Sequence, residues 1–302
     1  MSKTRKILLS TAFKQESEAA MEYAIRYAVR MKAEIVIVHV IEQLSMIAEN
    51  FMTRELQENM MQFAEQKIIS FANKILGKRS VKIIPVVKKG KVYSIIPEVA
   101  KEHNVDFIFM GRTERSDVVR NITGTNTNHI IGDSQIPVIT VKKVGKNTGF
   151  DHILLPLDLT KSATEKVSEV VKVATLLGAR VSVVTVLEKD WVSQELEFSG
   201  RLKDIQGIFG KFNIDSQYYL LEKSGKKTSD EIIGKARDLG ADLIMVMTRE
   251  ETGFRDLFIG STAMAVIRKS EIPVMSIIPG ADSIDMLPSS VLDIIVDPIG
   301  MV

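Results

Sequence analysis

The chain has 302 residues, about twice the usual length of a compact domain, and 45% of them are apolar, enough for two ordinary cores. It has no cysteine, which excludes disulfides and thiol catalysis, and its four histidines (His39, His103, His129, His152) show no metal-ligand spacing. With 40 basic and 38 acidic residues interleaved to a net charge of +2, it carries no electrostatic footprint for nucleic acid or an anionic membrane.

The N-terminal MSKTRKILLSTAF has too short an apolar run for a signal peptide, and no stretch reaches the roughly 18 apolar residues of a membrane span, so a soluble cytoplasmic protein is expected. Its apolar run KILLST predicts a strand, residues 16–31 have apolar positions at helical spacing, and the β-branched EIVIVHVI predicts a second strand. A helix over 44–76, the strand VKIIPVV, a helix over 93–103, the strand DFIFMG, a loop, a helix over 125–132 and the strand PVITV complete five strands with four crossovers. The order then returns: HILLPL, a helix over 162–177, ARVSVVTVL, a helical region to about residue 209, SQYYLLEK, a helix over 229–239, DLIMVM, a loop, a helix from Ser261, and PVMSII. Crossovers of this size imply parallel strands, and near-continuous apolar strands imply a sheet covered on both faces.

Residues 105–139 and 241–275 align without a gap at an offset of 136 (242 − 106), sharing Asp106/Asp242, Ile108/Ile244, Glu114/Glu250, Gly124/Gly260, Ile136/Ile272 and Pro137/Pro273. A period that long denotes two copies of a domain. The expected division is 1–144 and 151–280, joined by a linker at 145–150 and followed by an extension at 281–302 with four aspartates and no basic residue. The extension reads either as a tail packed on its own domain or as an added edge strand or swapped segment that closes an oligomer. At the first strand the offset is 146 (153 − 7), so the first copy holds about ten extra residues, most simply in the helix carrying Met52, Leu56, Met60 and Phe63. Those four share one helical face, which reads as a core stripe or as a methionine-rich contact face for a partner. Asp106 and Asp242 precede strands and read as turn or capping residues.

In an open α/β sheet ligands sit beyond the carboxyl ends of the strands, where the strand order reverses. A Gly-Thr or Gly-Ser opening a helix there offers backbone N–H groups and the positive end of the helix dipole to an anion, although it is also an ordinary turn and N-cap. Gly124-Thr125 and Gly260-Ser261 fit that place.

The order strand–Asp–helix–strand–helix–strand–helix–DLIMVM–loop–G(S/T)–helix–IPV resembles the universal stress protein family, as a tandem of two such domains reaching to Pro279. The resemblance implies an α/β fold of two open parallel-sheet Rossmann-like domains, adenine nucleotide α-hydrolase-like, with five strands each. Members that bind ATP or AMP use a loop G-x-x-G-x(9)-G-(S/T) for the phosphates and ribose. They also use an Asp after the first strand and the backbone of a Val after the second. In the first copy Val40, Gly111, Gly124 and Thr125 match, but Ala12 stands in the Asp position and Glu114 replaces the second glycine. In the second copy Asp158, Val186, Gly260 and Ser261 match, with Thr262 beside them, while Met247 and Glu250 replace both loop glycines.

Glycine at those positions lets a backbone approach phosphate or adopt positive φ. A glutamate there adds repulsion of about 1 to 4 kcal/mol between unit charges some 4 Å apart. Both copies therefore disfavour a triphosphate, and the second copy fits AMP or another monophosphate better than ATP, with Mg only as the nucleotide's companion. Arg112, Arg115, Arg249 and Arg255 lie in these loops and either offset the charge or pair with neighbouring glutamates. No nucleophile elbow, Walker motif or paired-carboxylate spacing is present, so the chain reads as a non-enzyme with room only for weak ATPase activity. Two functions follow. The first is a non-enzymatic stress-response or regulatory protein acting through its surfaces on a protein partner that the sequence does not name. Its two domains would form an intramolecular pseudo-dimer through PVITV and PVMSII, with room for a homodimer. The second is an adenine-nucleotide sensor using Asp158, Val186, Gly260, Ser261 and Thr262.

Overall fold

The structure is a computed structural model that describes residues 4–42, 53–112, 125–159, 164–187, 195–248 and 259–278. The chain divides into two compact units, one running to Gly149 and the other starting at Phe150. In unit 1, β1 (Lys6–Ser10), α1 (Gln15–Met31), β2 (Glu34–Ile41), α2 (Arg54–Leu76), β3 (Ile83–Lys89), α3 (Val92–Glu102), β4 (Ile108–Gly111), α4 (Thr125–Asp133) and β5 (Val138–Val141) alternate along the chain. Unit 2 repeats this with β6 (His152–Pro156), α5 (Thr164–Leu177), β7 (Arg180–Leu187), α6 (Glu195–Lys211), β8 (Ser216–Glu222), α7 (Thr228–Asp238), β9 (Leu243–Met247), α8 (Ser261–Lys269) and β10 (Val274–Ile277).

Both sheets are parallel and open, with strand orders β3-β2-β1-β4-β5 and β8-β7-β6-β9-β10. The order reverses between β1 and β4 and between β6 and β9, which places a mouth at the carboxyl ends of those strands. Ile7, Leu8, Leu9, Ile35, Val36 and Ile37 are fully buried, as a sheet covered on both faces requires. α1 presents Ala20, Met21, Tyr23, Ala24 and Ile25 to that core and ends in a left-handed Lys32 at φ 52°. The matching residue after α5 is Gly178, at φ 61°.

The repeat extends to single hydrogen bonds. Thr11 N donates to Val38 O at 3.0 Å where Leu157 N donates to Val184 O at 2.9 Å, and Ile108 N reaches Pro137 O at 3.0 Å where Ile244 N reaches Pro273 O at 3.0 Å. Strand register resolves the net ten extra residues into two steps. Ile35 faces Ile83 and Val181 faces Ser216, so the offset drops from 146 (181 − 35) to 133 (216 − 83), and the first copy carries 13 more residues between its second and third strands. Unit 2 then gains three before β9, where the offset is 136 (244 − 108).

The core-stripe reading of α2 is corrected. Leu56, Met60 and Phe63 are exposed by 48%, 37% and 68%, while the buried face of the helix is Ala64, Ile68, Phe71, Ala72 and Leu76. Met52 lies outside the described residues. No helix among the described residues is long and apolar enough to cross a membrane.

Candidate functional site

The mouth of unit 1 is built on Thr11, the first residue after β1. Its carbonyl accepts the Nδ1–H of His39 at 2.9 Å, and its Oγ1 accepts the N–H of Phe13 at 3.0 Å. Ser17 Oγ in the first turn of α1 accepts the N–H of Ala12 at 3.2 Å. This turn forces Phe13 into the left-handed region at φ 57°, a conformation that costs a bulky side chain energy and persists only where neighbours impose it. Those neighbours are aromatic and cationic. The Phe13 ring lies 4.6 Å from the His39 ring on β2 and 5.8 Å from Phe71 on α2 in an edge-on contact, and the Lys67 ammonium sits 4.5 Å from its centroid. Phe13 therefore lies at the carboxyl ends of β1 and β2, and Val40 near the end of β2 is half-buried.

Gly111 closes β4 and has a packing reason for its missing side chain. A Cβ there would fall 2.4 Å from Glu16 C, 2.5 Å from Glu16 O and 2.7 Å from Ser17 N, so only glycine lets α1 start against the strand. Its position thus faces protein backbone. Asn126, on the first turn of α4, donates to Glu42 at 3.3 Å, joining that helix to the end of β2.

Unit 2 repeats the frame with different contents. Leu157 O accepts the hydroxyl of Thr185 at 2.8 Å, the counterpart of the bond from His39. Asp158 is exposed at the end of β6, whereas Leu159, which matches Phe13, is fully buried and its carbonyl takes the guanidinium of Arg201 on α6. Val186 is half-buried on β7. Gly260 caps α8 with no side-chain hydrogen bond, Ser261 and Thr262 are exposed in the first turn, and that turn carries no acidic residue. Asp158 follows β6, Val186 lies near the end of β7, and Gly260 to Thr262 open α8. Gly124, Glu114, Arg115, Arg249, Glu250 and Arg255 lie outside the described residues, as does the side chain of Thr125. Among the described residues no group of three or more His, Asp or Glu side chains is arranged to hold a metal.

One Ser–His contact invites a catalytic reading, and its geometry argues against one. His152 Nε2 lies 2.8 Å from Ser182 Oγ, and Arg180 donates to His152 Nδ1 at 3.1 Å. Because a guanidinium only donates, Nδ1 holds the lone pair and Nε2–H donates to the serine. The imidazole cannot then act as a base toward Ser182, and both residues are buried at the amino end of the sheet, away from the mouth. Asp242 completes this cluster by accepting the N–H groups of Asp151 and His152 at 3.0 and 2.9 Å, which makes it the structural residue expected from its place before a strand.

A family model described as "Universal stress protein family" matches residues 3–142 and 221–277. The chain belongs to the universal stress protein family. Universal stress protein MJ0577 of Methanocaldococcus jannaschii is 24% identical over 156 residues, covering 46% of this chain and 95% of the relative. Universal stress protein MJ0531 of the same organism is 26% identical over 145 residues, covering 47% and 84%. Among solved structures, a universal stress protein from Archaeoglobus fulgidus superposes with a TM-score of 0.69 at 23% identity, covering 91% of this chain and 98% of its own. A Pseudomonas aeruginosa protein, PA1789, superposes at 0.60 with 15% identity and 97% coverage of each. This is the Rossmann-like α/β fold expected, in a tandem universal stress protein.

Sequence reasoning missed four residues at the two mouths: Phe13, His39, Lys67 and Arg201. For His39 a signal existed, because its offset partner Thr185 is also a side chain able to donate to the first carbonyl after the preceding strand. For Phe13 none did, since a left-handed φ at a phenylalanine follows from the local bonds and not from the residue type.

Proposed function

We propose that this universal stress protein is a non-enzymatic stress-response protein of the cytoplasm that acts through its surfaces, with the mouth of unit 1 closed to nucleotide. The observation that carries this reading is Phe13, held in a tilted contact with His39 and under the Lys67 ammonium at the carboxyl end of β1. Ala12, in the place of the family's aspartate, removes the carboxylate that a ribose or base would use. Assembly of two chains into a homodimer belongs to the same proposal and is read by sedimentation equilibrium.

A second reading has its own observation. The exposed Asp158 and the acid-free first turn of α8 favour a weak adenine-nucleotide site in unit 2, suited to AMP before ATP. Titration calorimetry of the full chain with ATP, ADP and AMP at millimolar concentration separates the two. No heat and no thermal shift retain the first reading alone. One site per chain that is lost in Asp158→Ala selects the second.

A further inference from the structure

Each sheet has an outer strand, β3 in unit 1 and β8 in unit 2, and among the described residues each pairs on one side, with β2 and β7 respectively. The far side of such a strand carries a row of N–H and C=O groups that another strand can take up, and proteins guard it with proline and lysine. The two strands differ in this guard. Ile35 N donates to Lys82 O at 2.9 Å and Gly90 N to Ile41 O at 3.0 Å, so the even-numbered backbones of β3 turn toward β2 and the odd-numbered ones turn outward. Pro85 is one of the outward residues and has no N–H to give, and Lys89 is another.

In β8, Val181 N donates to Asp215 O at 2.9 Å and Lys223 N to Leu187 O at 3.1 Å. Here the odd-numbered backbones turn toward β7, and those of Ser216, Tyr218, Leu220 and Glu222 turn outward. Ile37 faces Pro85 and Val183 faces Tyr218, so a tyrosine with its N–H intact stands where β3 has its proline. The strand reads SQYYLLE, without proline or lysine, and Leu220 is 38% exposed. Tyr219 is held in place: its hydroxyl donates to Gln217 at 2.6 Å, and the Lys235 ammonium of α7 lies 4.2 Å from its ring centroid.

Turned antiparallel on a second copy about Tyr219, this segment is its own complement. The outward backbones then oppose each other as Ser216 with Glu222 and Tyr218 with Leu220, the arrangement that exchanges N–H···O bonds in both directions. Tyr219 meets Tyr219, Tyr218 meets Leu220, and Gln217 meets Leu221. At the ends, exposed Asp215 meets Lys223, once on each side of the axis. A parallel copy would instead set like charge against like.

We propose that β8 is a self-docking edge: two copies of this chain join their unit 2 sheets by antiparallel pairing of β8 about Tyr219, with reciprocal Asp215–Lys223 contacts. The proposal rests on the homodimer reading above and names its interface. Sedimentation equilibrium of the full chain, with hydrogen exchange resolved at the Tyr218 and Leu220 amides, tests it. The wild type is expected to dimerise, with those two amides more protected as protein concentration rises. Tyr218→Pro copies the edge of unit 1 and removes no bond to β7. It and Asp215→Lys are each expected to weaken dimerisation about tenfold, and Asp215→Lys combined with Lys223→Asp to restore it. A wild type that stays monomeric overturns both the homodimer and this interface. A dimer unchanged in Asp215→Lys, or in a folded Tyr218→Pro, overturns the interface alone. So does protection of Tyr218 and Leu220 in the monomeric chain, because another segment of the same chain would then lie on the edge.

Discussion

Phe13 meets His39 in a tilted ring contact with centroids 4.6 Å apart, and it does so from a left-handed backbone at φ 57°. The two facts oppose each other energetically. Left-handed backbone costs a residue with a Cβ about 1 kcal/mol, while each aromatic contact returns about 0.5–1.5 kcal/mol. Removing the ring loses the contacts in either case, but only glycine also relieves the backbone. Phe13→Ala is therefore expected to lower unit 1 stability by about 2 kcal/mol and Phe13→Gly by about 1 kcal/mol, the reverse of the usual order. Urea unfolding measures both, and an alanine variant more stable than the glycine variant sinks the argument.

That contact also marks where the sequence stopped being informative. The strands, the helices and the repeat were legible, because period-2 and period-3.6 patterns and a constant offset report directly on which residues face a core. Phe13 was not, because its position depends on Thr11 Oγ1 and Ser17 Oγ bonding two successive N–H groups. The stripe on α2 misled for a related reason. Spacing shows that Leu56, Met60 and Phe63 share a face, but not whether anything lies against that face. Gly111 matches a ligand-loop glycine by its motif, and the backbone of Glu16 adds a packing reason that the motif does not reveal.

Gly111→Ala gives a direct measure of that close approach. The added Cβ meets Glu16 and Ser17 backbone atoms at 2.4 to 2.7 Å, and backbone yields less readily than a side-chain tip. A loss of about 3 kcal/mol is expected, at the upper end for overpacking. Calorimetry should place the whole effect in unit 1. A variant as stable as wild type would show that α1 can shift freely.

Arg79 holds α2 to α1 through a two-pronged contact with Glu22, Nη1 to Oε1 and Nη2 to Oε2 both at 2.8 Å, while its Nε–H caps the carbonyl of Leu76 at 3.0 Å. A lysine cannot reproduce that fork. Because the guanidinium is a third exposed, Arg79→Lys is expected to cost only about 1 kcal/mol. The hydrogen bond from Arg79 holds the Glu22 carboxyl below its ordinary value, so the contribution is present above about pH 4.5 and fades as the carboxylate is protonated. Melting temperatures of wild type and variant should converge in acid.

His152 gives unit 2 the opposite kind of handle. Burial first, and then the Arg180 charge, hold its pKa below the ordinary 6.5. The unfolded chain thus takes up a proton more readily than the native one. The stability that depends on neutral His152 is full above about pH 6.5 and falls as the pH drops toward the depressed native value. Burial raises the carboxyls of Asp242 and Glu169, which works in the other direction, so the His152 share is read as the difference between wild type and variant as the pH falls from about 6.5. Replacing His152 with Gln should flatten the unit 2 unfolding curve across that window. An unchanged slope removes His152 as its source.

The exposed start of α2 can be tested against its own buried end. Phe63 is 68% exposed and Phe71, two turns on, is 9% exposed, so the two phenylalanines share a helix and differ in what they touch. Phe71→Ala removes a ring packed against Phe13 and the sheet, and a loss of about 3 kcal/mol is expected. Phe63→Ser and Met60→Gln remove apolar surface that nothing among the described residues covers, and each should leave the unfolding free energy within about 0.5 kcal/mol of wild type. Chemical denaturation at micromolar protein concentration checks all three. If Phe63→Ser destabilised unit 1 as much as Phe71→Ala does, the first turns of α2 would have to be packed, and the core-stripe reading of Leu56, Met60 and Phe63 would return.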